Sequence, residues 1–372
     1  MRESRCNNFD ALRLVAAASV VFSHSFLIAD GTQDNEPLIR LTGNQSILGL
    51  VGVFVFFAIS GFLVTQSFEE TGDPGRFLMK RALRIFPGLF IATLLSAFVL
   101  APVVTSLPFG LYLSRAEPYE YVLGNTLLDQ TVHELPGVRF VDNQVGREIN
   151  GALWTLRYEF VMYLMVLALG VLRLLTMRVA LVLVLFGMAN LRLNMLDDLE
   201  KWGWFFAILS NWGWLVGFFA AGMVLYKLQH TRIFDGRIAL LALAGLVLSV
   251  PLRQFLPLFP LFGCYLALWL ARTRRLPVIP AARFGDLSYG IYIYGWPAEQ
   301  GVVWLLGGRA AWWQVFLLAL PAAAALAFLS WHLVEHPALR LKPSSRRRTA
   351  PARRDAGVEV SPAASMVSIG QT

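Results

Sequence analysis

Arg13 and His24 stand eleven residues apart, and between them lie only Leu, Val, Ala, Ser and Phe. In an α-helix that spacing is about three full turns, so both side chains fall on one face, roughly 16 Å apart along the axis. An ionisable group inside a bilayer is costly, and it faces a protein interior or a wet cavity where it has a task. Imidazole, with an ordinary pKa of about 6.5, exchanges protons near neutrality. His24 is therefore the candidate chemical centre, as a general base or as a nucleophile that carries the transferred group. The plainer alternatives are an interhelical hydrogen bond for His24 and, for Arg13, a helix-end marker paired with Asp10 three residues earlier.

Other residues in the chain could take part. Arg81 and Arg84, at i and i+3, offer two planar forks from one helical face, and Lys80 adds a third positive charge. Phosphates suit such forks, while orientation in the membrane by positive charge is the simpler role. Glu159 closes the run Trp154-Thr155-Leu156-Arg157-Tyr158-Glu159 at the start of another apolar segment. A carboxylate there can accept hydrogen bonds from sugar hydroxyls or orient another catalytic group. Ser60-Gly61 reads as close helix packing through small residues, with an acyl relay through Ser60 as the other reading. His332-Leu333-Val334-Glu335-His336 spells H-x-x-E-H, an inverted zinc-peptidase signature. No third ligand is evident, Pro337 is expected to end the helix at once, and no metal is expected. Cys6 and Cys264 are too far apart in sequence to suggest a disulfide or a thiolate metal site.

These residues must be positioned by membrane helices. The chain has 372 residues, 56% hydrophobic and 15% charged, where a soluble domain carries about a quarter charged. Apolar runs recur from Ala11 to Trp331, which predicts an all-α polytopic bundle. About ten spans are expected: 11–29, 48–67, 85–104, one opening near Ala152, 179–189, 204–226, 238–250, 256–270, 288–306 and 312–333. The connection 105–151 is the longest, is net acidic, and shows no obvious periodicity. A dense basic loop is expected before Ile85-Phe86-Pro87. The apolar run after Met1-Arg2 lacks a small-x-small cleavage site and belongs to the first span. Tryptophans near span ends, among them Trp214 and Trp312, read as an interfacial belt.

The net charge of +8 does not point to nucleic acid, because the basic residues sit in short clusters between apolar runs. With both termini cytoplasmic, the inner loops hold Arg76/Lys80/Arg81/Arg84, Arg173/Arg178, Lys227/Arg232 and Arg272/Arg274/Arg275/Arg283. That agrees with the positive-inside rule in every loop. Residues 1–340 form the membrane domain on this reading. Residues 341–372 form a basic Ser-, Pro- and Ala-rich tail, expected to be disordered and to lie against anionic lipid heads.

Five pieces stand in register: Arg13-x10-His24, Phe56-Phe57-x-x-Ser60-Gly61-Phe62-Leu63, Arg81-x-x-Arg84 before Pro87, Trp154-Thr155-Leu156-x-x-Glu159, and Glu335-x-Pro337. Together they resemble the acyltransferase-3 family of integral membrane acyltransferases, over about residues 9 to 340. Ser288-Tyr289-Gly290-Ile291-Tyr292-Ile293-Tyr294 also looks like that family's penultimate motif. Many members continue there with Trp-His-x-Pro; this chain has Gly295-Trp296-Pro297, so that second intramembrane histidine is missing. The resemblance implies O-acylation, with acetyl favoured, of an exported or surface glycan or a lipid-linked saccharide in a bacterial inner membrane. It implies acetyl-CoA or another short acyl-CoA as donor, bound by the Arg-x-x-Arg pair, and His24 with Arg13 and Glu159 in the site. Asp10, Ser60, Trp154 and Tyr292 are expected to support them. The competing class is a transporter of a lipid-linked sugar or small solute. Transporters often carry internal repeats, and none is convincing here.

Overall fold

The computed structural model describes residues 8–129, 131–142, 145–194, 203–273 and 275–342. The tail from Pro343 onward, Cys6 and Arg274 lie outside them. Ten long helices run through the described residues: α1 (Phe9–Asp30), α2 (Leu48–Thr71), α3 (Pro74–Leu95), α4 (Trp154–Val171), α5 (Met177–Asn194), α6 (Gly203–Lys227), α7 (Gly236–Ser249), α8 (Phe255–Arg272), α9 (Ser288–Leu305) and α10 (Trp312–Ser330). Among the described residues there is no strand, only an isolated bridge between Glu134 and Glu148. Among the described residues, six helical segments are long and apolar enough to cross a membrane: 9–30, 48–71, 74–104, 151–171, 255–272 and 312–340. The protein is all-α and multi-pass, as a bilayer requires of a chain whose backbone groups must be paired internally.

α2 is the central helix, packing on α1, α3, α4, α6 and α8. Its apolar character runs all round, which is what a helix enclosed by other helices needs. Close approach depends on glycine. A Cβ on Gly61 would lie 1.9 Å from the Phe219 carbonyl oxygen, and one on Gly222 would lie 2.0 Å from that of Ala58. α2 and α6 therefore touch backbone to backbone, while the adjacent Ser60 is left to face a cavity.

Three expectations are corrected. The basic residues before Ile85 are on a helix: α3 starts at Pro74, where Asp73 accepts the Arg76 N–H at 2.9 Å. Proline at the first position and an acidic N-cap make that start favourable. Pro337 does not end the last helix either. α10 widens into a π-turn, Trp331–Glu335, and continues through His336–Arg340. The altered hydrogen-bond register makes room for a proline near the new start. The 105–151 connection contains two short helices, Phe109–Leu113 and Glu117–Thr126. They carry a small core of their own around Tyr112, Tyr121 and Phe140.

Candidate active site

The surroundings of His24, in the last two turns of α1, are built by its two serine neighbours. Ser23 donates to the Glu36 carboxylate at 3.1 Å and accepts the Gly49 N–H at 2.7 Å. Glu36, fully buried, also accepts the N–H groups of Leu38, Ile39 and Leu48. One carboxylate thus caps the starts of two helices and ties them to α1. On the other side, Ser25 donates to Glu299 Oε1 at 2.8 Å. The imidazole meets the Trp296 indole edge-on, with centroids 4.8 Å apart, and its Nδ1 lies 3.7 Å from Glu299 Oε2.

Beside the ring is a chamber of about 770 Å³, open in part to solvent, lined by Gln33, Leu50, Glu148, Trp154, Tyr292 and Trp296. The 145–151 segment forms its outer wall, and proline explains how that wall is held. Pro297 has no N–H, so the Ile293 carbonyl loses its helical donor; the Asn150 side chain donates to it at 2.8 Å. Trp296 donates to the Glu148 carbonyl at 3.2 Å, and Gln300 to the carbonyls of Val145 and Glu148 at 2.7 and 2.9 Å. Burial pushes the Glu148 carboxyl up from its ordinary range.

On the basic side of the same bundle, a second cleft of about 790 Å³ is lined by Arg13, Ser60, Arg81, Arg84, Glu159 and Tyr163. Ser60 donates to Glu159 at 3.3 Å, and the Tyr163 hydroxyl also donates to that carboxylate. The two arginines differ. Arg84 reaches Asp286 at 2.7 Å and Glu335 at 3.6 Å, so two carboxylates balance its charge. Arg81 donates from Nη2 to Ser67 at 3.1 Å and lies over the Phe77 and Tyr163 rings, while its Nε is buried without a hydrogen-bond partner among the described residues. The cleft widens into a vestibule where Lys80 and Lys342 join Arg13, Arg81 and Arg84. Lys80 also donates to Thr71 at 2.9 Å. Burial lowers the Lys342 ammonium, and Arg81, Arg84 and Lys80 lower it further. Burial alone would raise the Asp286 carboxyl; Arg84, Arg13 and Ser288 outweigh it and hold the group below its ordinary range.

Val53 and Tyr292 line both cavities. The Tyr292 hydroxyl donates to the Ala152 carbonyl at 2.6 Å and is also bonded to Thr155. Arg13 and His24 share a face of α1 but serve successive cavities along it. Arg13 pairs with Asp10 at 3.7 Å. Trp154 and Tyr292 come to the His24 chamber, while Ser60 and Glu159 come to the arginine cleft. Glu159 stands away from the His24 chamber because α4 runs from Trp154 at that chamber toward the basic side, which leaves the carboxylate orienting Ser60 and Tyr163.

His24 is the lone histidine of the site but has an acidic neighbour that sequence reasoning missed. Glu299 was findable by the criterion that selected His24, as the one acidic residue in the apolar run 288–306. The partners Asp286 and Glu335 of Arg84 were not findable, since they lie about 200 and 250 residues away in sequence. The H-x-x-E-H letters are otherwise engaged. His332 contacts its own helix at the Phe328 carbonyl, His336 stacks on Trp331, and Glu335 takes Arg84 and Ser330. No cluster of three metal-ligating side chains forms among the described residues.

A family model described as an acyltransferase domain matches residues 7–332. Nodulation protein 10 of Rhizobium leguminosarum bv. viciae is 28% identical over 361 residues, 91% of this chain and 94% of that protein. The O-acetyl transferase of Shigella phage Sf6 is 27% identical over 348 residues, 90% of this chain and 96% of that protein. No solved structure matches.

Proposed function

We propose that this chain, which belongs to the acyltransferase-3 family of membrane acyltransferases, moves an acetyl group from cytoplasmic acetyl-CoA to a hydroxyl of an exported glycan or lipid-linked saccharide. The observation that carries the reading is the shared wall of Val53 and Tyr292 between a cationic cleft and a histidine chamber. Phosphates of CoA suit the cationic side, with Arg81 as the fork still able to take them. The extended pantetheine arm of CoA separates its phosphates from its thioester by a span comparable to the three turns between Arg13 and His24. Donor phosphates and reacting carbonyl then fit the two cavities in order.

On this reading His24 is the general base. Its free nitrogen takes the proton of the acceptor hydroxyl while that oxygen bonds to the thioester carbon. The tetrahedral intermediate collapses, the carbon–sulfur bond breaks, and the imidazolium returns its proton to the leaving thiolate. The products are the ester and free CoA. On the acceptor side, Glu148 and Gln33 offer hydrogen bonds to sugar hydroxyls and Trp154 offers an aromatic face. The basic vestibule faces the cytoplasm of a bacterial inner membrane, with ten spans and both termini inside, in keeping with the basic inner loops. Family membership displaces the transport reading, and the relative's name favours acetyl.

The test is transfer of radiolabel from acetyl-CoA to polysaccharide in membranes of the producing cell. Label is expected with the intact protein and is expected to vanish with His24→Ala at unchanged membrane yield. Full transfer by that variant rejects His24 as the base.

A further inference from the structure

A buried carboxyl oxygen without a partner faces the candidate base. Glu299 is fully buried on α9; its Oε1 takes the Ser25 hydroxyl at 2.8 Å, while its Oε2 has no hydrogen-bond partner among the described residues. That free oxygen is the one 3.7 Å from His24 Nδ1. A carboxyl placed in an apolar span is costly and is kept where it acts on a partner. The separation exceeds a hydrogen bond by about 0.8 Å, the kind of gap that closes when substrate tightens a site. Trp296 packs T-shaped against the ring, and Ser23 and Ser25 tie α1 to its surroundings on either side of it.

We propose that Glu299 is the positioning residue of His24, accepting the Nδ1 proton and so presenting Nε2 to the chamber. Only one ring nitrogen of a neutral imidazole can accept a proton, and the hydrogen bond made by the other nitrogen decides which one it is. An imidazole in the wrong tautomer would turn an N–H toward the acceptor hydroxyl and remove no proton from it. The remaining titratable groups near the ring are Glu148 from the 145–151 wall and Tyr292 from α9; α2 faces it with Gly49, Leu50 and Val53. None of these is paired with Nδ1, so orientation falls to Glu299. This role rests on the proposed use of His24 as base.

Two substitutions separate positioning from simple helix adhesion. Glu299→Met keeps bulk and removes the acceptor; Glu299→Gln keeps an oxygen acceptor without charge. In membranes of the producing cell fed radiolabelled acetyl-CoA, Glu299→Met is expected to lower kcat at least tenfold with the donor KM unchanged. Glu299→Gln is expected to stay within about fivefold of the intact protein. A second readout needs no turnover: carbethoxylation of His24 by diethylpyrocarbonate across pH, located by mass spectrometry. Its midpoint is expected to fall by about one pH unit in Glu299→Gln, a tenfold change in the protonation constant. Wild-type kcat in Glu299→Met, or an unmoved midpoint in Glu299→Gln, overturns the assignment. Full transfer by His24→Ala would instead sink the proposed reaction, and the midpoint would still report whether the two side chains meet.

Discussion

Arg81 and Arg84 show how two like residues on one helical face come to differ. Arg84 is held by Asp286 and by Glu335, which is 2% exposed. Removing its guanidinium leaves a carboxylate buried beside nothing of opposite sign, a change that costs about 3 kcal/mol. Arg84→Ala is therefore expected to lower the thermal midpoint in detergent and the membrane yield. Arg81 lacks such a clamp, so Arg81→Ala should leave the midpoint nearly unchanged and raise the donor KM by about tenfold, as loss of a charge-assisted hydrogen bond does. Equal donor KM in Arg81→Ala and the intact protein would reduce Arg81 to a marker of orientation. The pairing also sets a pH signature. Because the Asp286 carboxyl is lowered in the folded protein, its stabilising effect is complete above the ordinary carboxylate pKa of about 4 and is lost as pH falls through the lower folded value. The stability gap between the intact protein and Asp286→Asn should stay constant from neutrality down to that range and shrink below it, as measured by thermal unfolding at each pH. A gap that widens on acidification would contradict the ion pair.

At the level of helices, what could be read from the chain and what could not divides by range. Hydropathy runs locate the helices, because lipid leaves the backbone no other arrangement. Hydropathy does not locate helix starts within charged segments. Pro74 opens α3 because Asp73 caps it, a local signal outweighed by the density of basic residues. Trp214, read as belt, is packed against Phe54 and Phe218 instead, since an amphipathic ring near a span end satisfies either environment. Among site residues, those on the same helix as a known motif were legible; the partners of Arg84 and the wall over His24 required the tertiary fold. The glycine contact between α2 and α6 gives the prediction at this scale. Gly61→Ala inserts a methyl group where a carbonyl oxygen already lies 1.9 Å away, and overpacking of this kind costs about 1–3 kcal/mol. A lower thermal midpoint is expected, and Gly110→Ala serves as a contrast because the space around it is open and its backbone is not left-handed. A midpoint for Gly61→Ala equal to that of the intact protein would mean the helices are not in such contact.

Across the whole molecule, the vestibule, the cleft and the chamber lie in sequence, and charge falls along the way. Lys80, Lys342 and three arginines stand at the first stage, while Gln33, Glu148 and two tryptophans line the last. An anionic donor entering such a mouth is drawn by the summed field, which salt weakens. Its KM should rise with ionic strength, and the rise should be shallower in Lys80→Ala; a salt-independent KM would remove the electrostatic account of donor entry. Tyr292, pinned by Ala152 and Thr155 at the seam, has a further consequence. On the proposed reading, this fixed ring narrows the way between cleft and chamber, so the nucleotide stays on the cleft side and only the slender arm with its acyl group reaches past it. On that reading the permeability barrier of the cell would stay closed during turnover, and the gap beside that one ring would limit how bulky an acyl group the protein can hand across.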